Sequence, residues 1–328
     1  MIGDKKLPPS AKGLIVPTRQ TSPFYLLRKI HKPGNPGRPI ASVCCCPTEN
    51  IPSYLDQIMC PLVPNLGTYV KDTNHTIRIF NDFHLDNTTT GEHFLYIMDI
   101  KSLHTVIPNN SGLEALAYFI NKHPVLDPVT STLTRLAELV LSLNGFTLTG
   151  DFYQQIGGVA MCSKMGPNYA CLFDGYLDLE EWIASQYSGF VPQLHKRYID
   201  VVIEVACCSH ADLENYICFI SNIHPAFQFT HTISDTELSF LDITLRITDH
   251  HINTTIYYKD TDTHTYLHHQ SSHPSHCKKG LPRSQSKFAT CVLKTQIFWK
   301  RAVKWCLSLN NMDTPAPVSR MISRQSDS

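Results

Sequence analysis

Residues 197–205 read RYIDVVIEV. β-branched and aromatic residues lie on both sides of the pair Asp200-Val201, a pattern typical of a tight β-hairpin. We therefore predict a hairpin that presents Asp200 at its tip. A carboxylate among apolar residues is costly unless a positive group meets it, and a divalent metal ion is one such group. The alternatives are a salt bridge to Arg197 and a purely structural role in the turn.

A second acidic residue ends another apolar segment. Residues 93–100 (HFLYIMDI) are short, apolar and preceded by Gly91-Glu92, so they predict a buried strand with Asp99 near its end. Asp99 has the same two interpretations as the hairpin acid. It is either a metal ligand or one half of a salt bridge, here to Lys101.

The order of the predicted elements gives the fold class. The elements after the strand 93–100 are helices at 111–120 and 133–141, a hairpin at 146–156, a helix after Pro167, the hairpin at 197–205, a helix at 213–220, and strands at 227–233, 237–247 and 252–258. Ser111 and Glu114 match the capping-box pattern at the start of the first helix. This order predicts an α+β fold, an antiparallel sheet with helices on one face.

Composition indicates a folded domain without a membrane span. Of the 328 residues, 42% are hydrophobic and 17% are charged, and no apolar run reaches the roughly 18 residues that a span needs. Lysines and prolines occupy the first twenty residues, where a secretory signal would be apolar, so we expect an intracellular protein, in nucleus or cytoplasm. The twelve cysteines are then expected to be reduced thiols.

Basic residues are unevenly distributed, although the formal net charge is zero. They cluster at residues 28–38 and again at 278–304, and two such zones suit contact with a phosphate backbone. The alternative is that both are solvated faces. Histidines at 264–276 followed by Cys277 also allow a zinc site as a minor alternative.

Six blocks occur in a fixed order along the chain. They are FYLLRKIHKPGNPGRPI (24–40), LYIMDIKSLHTVIP (95–108), QIGGVAMCSKMGPNYACLF (155–173), RYIDVV (197–202), ELSFLDITL (237–245) and KDTDTHTYLHHQSSHPSHCKKGLPRSQ (259–285). Together they resemble the successive blocks of the reverse transcriptases of Penelope-like retroelements, from Phe24 to Gln285. One such block would be weak support, whereas six in order are specific.

The resemblance implies a right-hand polymerase that copies an RNA template onto a DNA primer from dNTPs. The implied domains are a flexible N-terminal segment (1–23), fingers (24–90), palm (91–258), a partial helical thumb (259–310) and a disordered tail (311–328). Asp99 matches the first acid of the family, and Asp200 matches the first of its paired hairpin acids. Both would be catalytic and would hold Mg²⁺, with Mn²⁺ as the alternative ion.

Further site residues follow from the same resemblance. Lys29 and Arg38 match positions that contact the incoming triphosphate. His104 stands where the family has an aromatic residue under the incoming sugar, and Met161 and Cys162 lie in the loop that faces the nucleotide. The residues implied to contact the primer–template backbone are Lys278, Lys279 and Arg283.

One departure from the family bears on activity. The paired acids of the hairpin are here Asp200 and Val201, so the second carboxylate is missing. We therefore expect an impaired polymerase. The alternatives are a module that binds nucleic acid without catalysis, and a translated relic of the same element.

Overall fold

The computed structural model describes residues 7, 9–14, 16, 20–30, 34–86, 91–123, 128–177, 187–248, 251–259, 267, 271–278 and 280. The chain divides into two units, both discontinuous in sequence. The first unit comprises residues 1–71 and 88–235, and the second comprises 72–87 and 236–328.

The described elements follow one another from a short 3-10 helix at Pro9–Leu14. The first half contains β1 (Ser22–Arg28), β2 (Gly37–Ala41), α1 (Asn50–Met59), α2 (Thr73–Asp82), β3 (Glu92–Ile100), α3 (Leu103–Val106), α4 (Asn109–Lys122) and α5 (Thr130–Ser142). The second half contains β4 (Gly145–Leu148), β5 (Asp151–Gln154), α6 (Gly166–Leu177), β6 (Leu194–Tyr198), β7 (Val201–Cys208), α7 (His210–Ser221), β8 (Phe229–Ser234), β9 (Glu237–Phe240), β10 (Ile243–Ile247) and β11 (Ile252–Ile256).

The central sheet of the first unit has the strand order β6-β7-β3-β8, and every neighbouring pair is antiparallel. Strand β3 pairs with β7 from Glu92 opposite Cys208 to Asp99 opposite Val201. Strands β6 and β7 are joined by Ile199 and Asp200 alone, so the predicted hairpin with an acid at its tip is confirmed.

One face of this sheet is covered by helix α7. Phe94, Tyr96 and Met98 alternate along β3 and pack against the apolar side of the helix, because successive strand residues point to opposite faces. Tyr96 meets Tyr216 of the helix edge-on, with ring centroids 6.2 Å apart. Ser209 caps the helix by accepting from the Asp212 N–H.

A buried carboxyl lies in the same layer. Glu204 of β7 is fully buried, and it contacts His195 Nδ1 across the strand and accepts from the Tyr216 hydroxyl at 3.4 Å. Burial raises the pKa of Glu204 well above its ordinary value, so the folded protein favours its neutral form. Both contacts are made by Oε1, and Oε2 has no hydrogen-bond partner among the described residues.

The helices α1, α4, α5 and α6 form a second core within the first unit. Leucines and alanines at helical spacing on α5, such as Leu133, Leu136 and Ala137, are buried against α4 and α1. Tyr169 of α6 is 1% exposed, and its ring fills the space over Gly112 of α4. The predicted helices at 111–120, 133–141 and after Pro167 are thus confirmed.

A smaller sheet of the first unit has the order β2-β1-β4-β5. Its strands are antiparallel except for β1 and β4, which pair in parallel at Ser22–Phe146 and Pro23–Thr147. Phe24, Phe146 and Tyr153 stack across three strands, with centroid separations of 5.0 and 5.7 Å. The predicted hairpin at 146–156 is confirmed as β4 and β5.

In the second unit, β9, β10 and β11 form an antiparallel sheet in contact with α2. Asp72 caps α2 by accepting from the His75 N–H at 2.8 Å. The Thr73 hydroxyl donates to Asp242 Oδ2 at 2.9 Å, which gives this carboxylate a structural partner.

Two local predictions are wrong. The single strand predicted at 237–247 is two strands, because Leu241 adopts a left-handed conformation (φ 54°) and the chain reverses at Leu241 and Asp242. The capping box is also wrong, since α4 begins after Pro108 and Ser111 lies inside its first turn without capping it. Proline has a fixed φ that suits a helix start, and here it displaces the serine signal.

The domain boundaries drawn from the resemblance remain predictions, and most of the predicted thumb lies outside the described residues. No helix in the described part of the chain is long and apolar enough to cross a membrane.

A buried ion pair joins α6 to the hairpin strand β6. Arg197 and Asp174 are 4% and 2% exposed, and Nη1 of the arginine lies 3.0 Å from Oδ2 of the aspartate. Arg197 also donates to the Thr68 hydroxyl at 3.3 Å. Among the described residues, neither oxygen of Asp174 accepts a hydrogen bond, so its charge depends on this guanidinium.

We expect Arg197→Met to lower the free energy of unfolding by about 3–5 kcal/mol, because it leaves Asp174 charged, buried and alone. Adding Asp174→Leu should recover most of that loss. Urea unfolding monitored by circular dichroism measures both. Arg135→Met is the control, since the pair Arg135–Glu138 is exposed and should contribute less than about 1 kcal/mol. Equal losses in the single and double variants would contradict the ion-pair account.

Candidate active site

The two predicted catalytic acids lie at the same end of neighbouring strands. Asp99 is the penultimate residue of β3, and Asp200 is in the turn that precedes β7. The Ile100 N–H donates to the Asp200 carbonyl at 2.9 Å, which continues the β3–β7 ladder into the turn. The structure therefore brings the two residues together, although they are far apart in sequence.

Val201, the position at which the family resemblance implies a second hairpin acid, lies directly across from Asp99. Asp99 and Val201 are register partners, so both side chains project from the same face of the sheet. Tyr198 and Thr230 share this face, because Tyr198 pairs with Val201 and Thr230 pairs with Asp99. A row of side chains thus crosses all four strands at this level, and valine is its apolar member beside Asp99.

The hairpin tip has an unusual backbone. Ile199 has a φ of 52°, a left-handed conformation that β-branched residues rarely adopt. Two-residue hairpins require a positive φ at the first central residue, and glycine or asparagine normally supplies it. The turn is therefore strained at the residue before Asp200, and strain of this kind is held in place by surrounding contacts.

Cys171 of α6 packs against this turn. The thiol is buried beside Asp200, and the Ile199 backbone forms a hydrogen bond with it. Burial raises the pKa of Cys171, the charge of Arg197 lowers it, and the charge of Asp200 raises it, with a net increase. Burial also lowers the pKa of the neighbouring Arg197 to about 10. Cys171 therefore remains a neutral thiol, and Arg197 remains a cation, at neutral pH.

His104 stands just beyond the end of β3. Ser102 has a φ of 57°, which turns the chain out of the strand into the short helix α3. The His104 carbonyl accepts from the Val159 N–H at 2.7 Å, and its ring packs against Gly166 at the start of α6. Burial lowers the pKa of His104, and Arg38 lowers it further, so the imidazole is neutral at neutral pH.

Glycine at position 158 allows the loop to approach the backbone of α3 closely. A Cβ at this position would lie 2.4 Å from the His104 carbonyl oxygen, and its φ is +71°. Its N–H donates to Asn109 Oδ1 at 3.0 Å. The backbone of α3 therefore occupies the space in which a side chain at position 158 would lie.

Of the remaining predicted nucleotide residues, Arg38 is the one whose charge acts on His104. Arg38 is exposed on β2 within electrostatic range of the imidazole. Met161 is half-buried and Cys162 is exposed in the turn before α6. Lys29 follows the last residue of β1, and its N–H donates to the Pro36 carbonyl at 2.9 Å. Among the described contacts, none joins Lys29 to the two acids.

The predicted duplex-binding residues are only partly described. Lys278, in the second unit, donates from its ammonium to the Ser271 carbonyl at 2.9 Å. Lys279 and Arg283 lie outside the described residues, as do His264, His268 and His269. Within the described part of the chain there is no cluster of three or more His, Cys, Asp or Glu that could hold a metal ion.

The donor set at the hairpin is therefore a pair of carboxylates, Asp99 and Asp200. Mg²⁺ is usually held by one or two carboxylates together with waters and substrate phosphates. Two acids fit such an ion when a nucleotide supplies the other oxygens. They fit it less well than three would, because Val201 has no oxygen to offer.

Sequence reasoning missed two residues that shape this site, Asp174 and Ile199. Asp174 lies on α6 with Cys171, and the contacts of both with the hairpin depend on how that helix packs. Ile199 resembles an ordinary strand residue, and its left-handed backbone carries no sequence signal. The partner of Arg197 is Asp174, which was not among the partners that we considered from sequence.

The central antiparallel sheet thus carries one acid near a strand end and a second acid on a hairpin tip, and helix α7 packs on one of its faces. No protein-family model and no curated protein matches the sequence. In tertiary structure, the chain resembles telomerase, which is a reverse transcriptase, and it also resembles a viral RNA-dependent RNA polymerase. Its fold is therefore polymerase-like.

The solved structures share the fold at low sequence identity. Telomerase from Candida albicans in complex with the TWJ fragment of telomeric RNA has a TM-score of 0.56 and 10% identity, and the match covers 83% of this chain and 51% of that one. Apo telomerase from Candida tropicalis, truncated from the C-terminal domain, has a TM-score of 0.53 and 11% identity, with 75% and 57% covered. The RNA-dependent RNA polymerase of a human picorbirnavirus has a TM-score of 0.51 and 12% identity, with 69% and 43% covered.

This chain spans about half the length of those proteins. At 10–12% identity, the likeness establishes the fold and no more.

We expect Gly158→Ala to destabilise the protein. A left-handed backbone alone costs a residue other than glycine about 1–3 kcal/mol, and the contact with His104 adds to this. Gly157→Ala is the matched control, because a Cβ there meets no atom within 4 Å. Thermal unfolding of the two variants compares them directly, and similar melting temperatures would be the contrary result.

The stability of the protein should fall on acidification in part through His104. Below the ordinary histidine pKa of about 6.5, the unfolded chain takes up a proton that folded His104 resists, so stability decreases as pH falls through this range. His104→Gln should reduce that decrease, and His231→Gln, at an exposed histidine of β8, is the control. NMR titration of the imidazole should give a pKa below the ordinary value, which rises in Arg38→Gln. An unchanged titration in Arg38→Gln would contradict the assigned cause.

Proposed function

We propose that this chain is the reverse transcriptase domain of a Penelope-like retroelement, with an impaired active site. Its reaction would be transfer of a nucleotide from a dNTP to the 3′-hydroxyl of a DNA primer paired with an RNA template. The observation that carries the proposal is that Asp99, near the end of β3, and Asp200, in the turn that leads into the partner strand β7, lie at the same end of one strand pair within a polymerase-like fold. The six ordered blocks supply the family.

Asp99 and Asp200 would hold the divalent ion, Mg²⁺ or Mn²⁺. When bound, such an ion lowers the pKa of a coordinated hydroxyl and neutralises charge on the transferring phosphate. The two carboxylates themselves provide the negative potential that attracts the cation to this end of the central strands. The β3–β7 ladder limits where the cation can sit, because Asp99 belongs to it and the Ile100 N–H holds the Asp200 carbonyl at its end.

The nucleotide would lie over the turn between β3 and α3. Arg38 offers a forked guanidinium for triphosphate oxygens, and its own charge helps to keep His104 neutral. A neutral imidazole packed on Gly166 can donate or accept a hydrogen bond near the sugar. Selection between ribose and deoxyribose would therefore depend on polarity as well as on shape.

Val201 accounts for the proposed impairment. Its position opposite Asp99 is where a further carboxylate would face the cation. Loss of one negative charge about 4 Å from a dication weakens binding by roughly 2–4 kcal/mol at an effective dielectric constant near 20. If this loss is expressed in the transition state, the rate falls by roughly 30- to 1000-fold.

We expect Val201→Asp to increase primer extension on an RNA template by roughly 30- to 1000-fold. Val201→Asn is the matched control, because it has nearly the same shape as aspartate without the charge, and it should stay near the wild-type rate. Asp99→Asn in the Val201→Asp background should abolish the gain. High and equal rates of extension by the wild type and Val201→Asp would contradict the proposed impairment.

Thermal unfolding gives a second readout that does not need activity. Aspartate at position 201 would place like charges directly across two strands, so Val201→Asp should melt below the wild type without divalent ions. Mg²⁺ or Mn²⁺ should raise the melting temperature of Val201→Asp more than that of Val201→Asn. An equal rise in melting temperature in both variants would argue against a cation site at this end of the β3–β7 pair.

A second candidate function is nucleic-acid binding without catalysis, and the apolar Val201 at the site is the observation that favours it. In that case RNA or an RNA–DNA duplex should bind with an affinity that falls steeply as salt increases. Val201→Asp would then bind as tightly as the wild type and would still fail to extend a primer.

A further inference from the structure

A cavity of ≈ 380 Å³ opens in the first unit, behind the turn that carries Met161 and Cys162. It is bounded by the start of β1, the segment 43–52, the end of α5, the β4–β5 hairpin and residues 160–163. Cavities that bind small ligands usually measure about 300–1,000 Å³. The space is therefore large enough for a heteroaromatic ring with an attached sugar.

The lining of the cavity is uncharged. Among the described residues that form its wall there is no Asp, Glu, Lys, Arg or His. Val140 and Pro52 give it an apolar body, while Thr48 and Asn144 add a hydroxyl and an amide. A phosphate or carboxylate would lose its hydration here without a cation to meet it, so the lining selects an uncharged ligand.

Ser163 provides an unused polar group within this wall. Its side chain is 3% exposed, and its hydroxyl has no hydrogen-bond partner among the described residues. A buried hydroxyl without a partner is unfavourable, and native proteins usually satisfy such groups. The hydroxyl oxygen is itself shielded from the cavity, so the Ser163 side chain would rotate about χ1 to turn Oγ inward, and a ligand that offers a donor or acceptor there would remove this penalty on binding.

The rim of the cavity contributes an aromatic surface. The ring of Phe152 packs over Gly145 across the β4–β5 hairpin, and the side chain is still 66% exposed. A planar ligand that enters the cavity can stack on this ring. Nucleobases combine the required properties, since they are flat and uncharged and carry donors and acceptors along their edges.

We infer that this cavity binds a nucleobase, from a free nucleoside or from an unpaired position of a bound RNA strand. The strand source rests on the proposed function, whereas the free source does not. The site differs from the predicted nucleotide site, because it contains neither acid and no residue that would contact a triphosphate.

Binding here would act on the predicted nucleotide site through one turn. The Ser163 N–H donates to the Ala160 carbonyl at 2.9 Å, and this hydrogen bond closes a turn around Met161 and Cys162. Both ends of the turn, Ala160 and Ser163, line the cavity. A base seated in the cavity would therefore brace the turn from the side opposite to Met161 and Cys162.

The first test uses the four ribonucleosides as probes, with saturation-transfer NMR to detect binding and titration to measure it. At least one nucleoside should bind the wild type, and Ser163→Ala should weaken it by roughly 2- to 10-fold, the effect of one hydrogen bond. Ser142→Ala is the matched control, because Ser142 also lines the cavity but its hydroxyl donates to the Glu138 carbonyl at 2.8 Å.

Protein stability separates a ligand-binding role of Ser163 from a structural one. Because its hydroxyl has no partner in the folded protein, Ser163→Ala should melt at or above the wild-type temperature while it binds nucleosides less tightly. A lower melting temperature together with unchanged nucleoside binding would overturn the proposal. The proposal would also be overturned if toluene bound as tightly as every nucleoside, since the cavity would then be only an apolar space.

The second test identifies the source of the base. Single-stranded RNA with one 2-aminopurine is bound to the full chain, and its fluorescence is measured with and without saturating adenosine. If adenosine and Phe152→Ala both reduce the change in fluorescence that accompanies RNA binding, the cavity holds a base of the strand. If neither affects that change while nucleosides still bind, the cavity holds a free nucleoside. Absence of binding in both tests refutes the cavity site.

These outcomes are independent of the polymerase proposal. Primer extension by Val201→Asp without any nucleoside bound at Ser163 would refute the cavity site alone. Nucleoside binding that depends on Ser163, in a Val201→Asp variant that never extends a primer, would refute the polymerase proposal alone.

Discussion

The antiparallel pairing of β3 with β7 is the constraint on which the candidate site depends. Eight register pairs run from Glu92–Cys208 to Asp99–Val201, and the next hydrogen bond joins Ile100 to the Asp200 carbonyl. A shift by one residue would move every side chain of β7 to the other face of the sheet. The same shift would put apolar residues in water, so burial of the sheet and placement of the acids are enforced together.

The hairpin that ends this ladder is supported mainly by helix α6. Asp174 pairs with Arg197, which lies in β6 two residues before Ile199. Cys171 lies beside Asp200 and the Ile199 backbone. The left-handed Ile199 is unfavourable by itself, and these buried contacts keep it in place. The position of the acid therefore depends on packing between the helix and the strand as much as on the turn.

Polarity around the site changes over short distances. One end of the β3–β7 strand pair carries two carboxylates next to an apolar valine, and a neutral His104 lies near the cationic Arg38. Behind the neighbouring turn is a cavity without charged residues. One loop, residues 157–163, contacts both regions. Its glycine at 158 packs on α3, and its serine at 163 faces the cavity.

Local patterns predicted much of the fold, while left-handed turns and long-range pairs escaped them. The Asp200 hairpin was predictable because strand residues flank two turn residues, and helices such as α5 were predictable from apolar spacing. The reversal at Leu241 was missed because leucine is not a turn residue, although the alternation of apolar residues shifts phase between Phe240 and Leu241. The parallel pairing of β1 with β4 was likewise hidden, since it involves two residues on each strand.

The sequence by itself determined the class of fold, the acids at positions 99 and 200, and the absence of a carboxylate at position 201, because these are matters of residue type and order. Only the tertiary structure decided that Val201 faces Asp99, that Arg197 belongs to Asp174, and that Ser163 lines an uncharged cavity. Each of these depends on which distant segments pack together. That choice is made by burial and by hydrogen-bond satisfaction over the whole unit, and no local pattern records it.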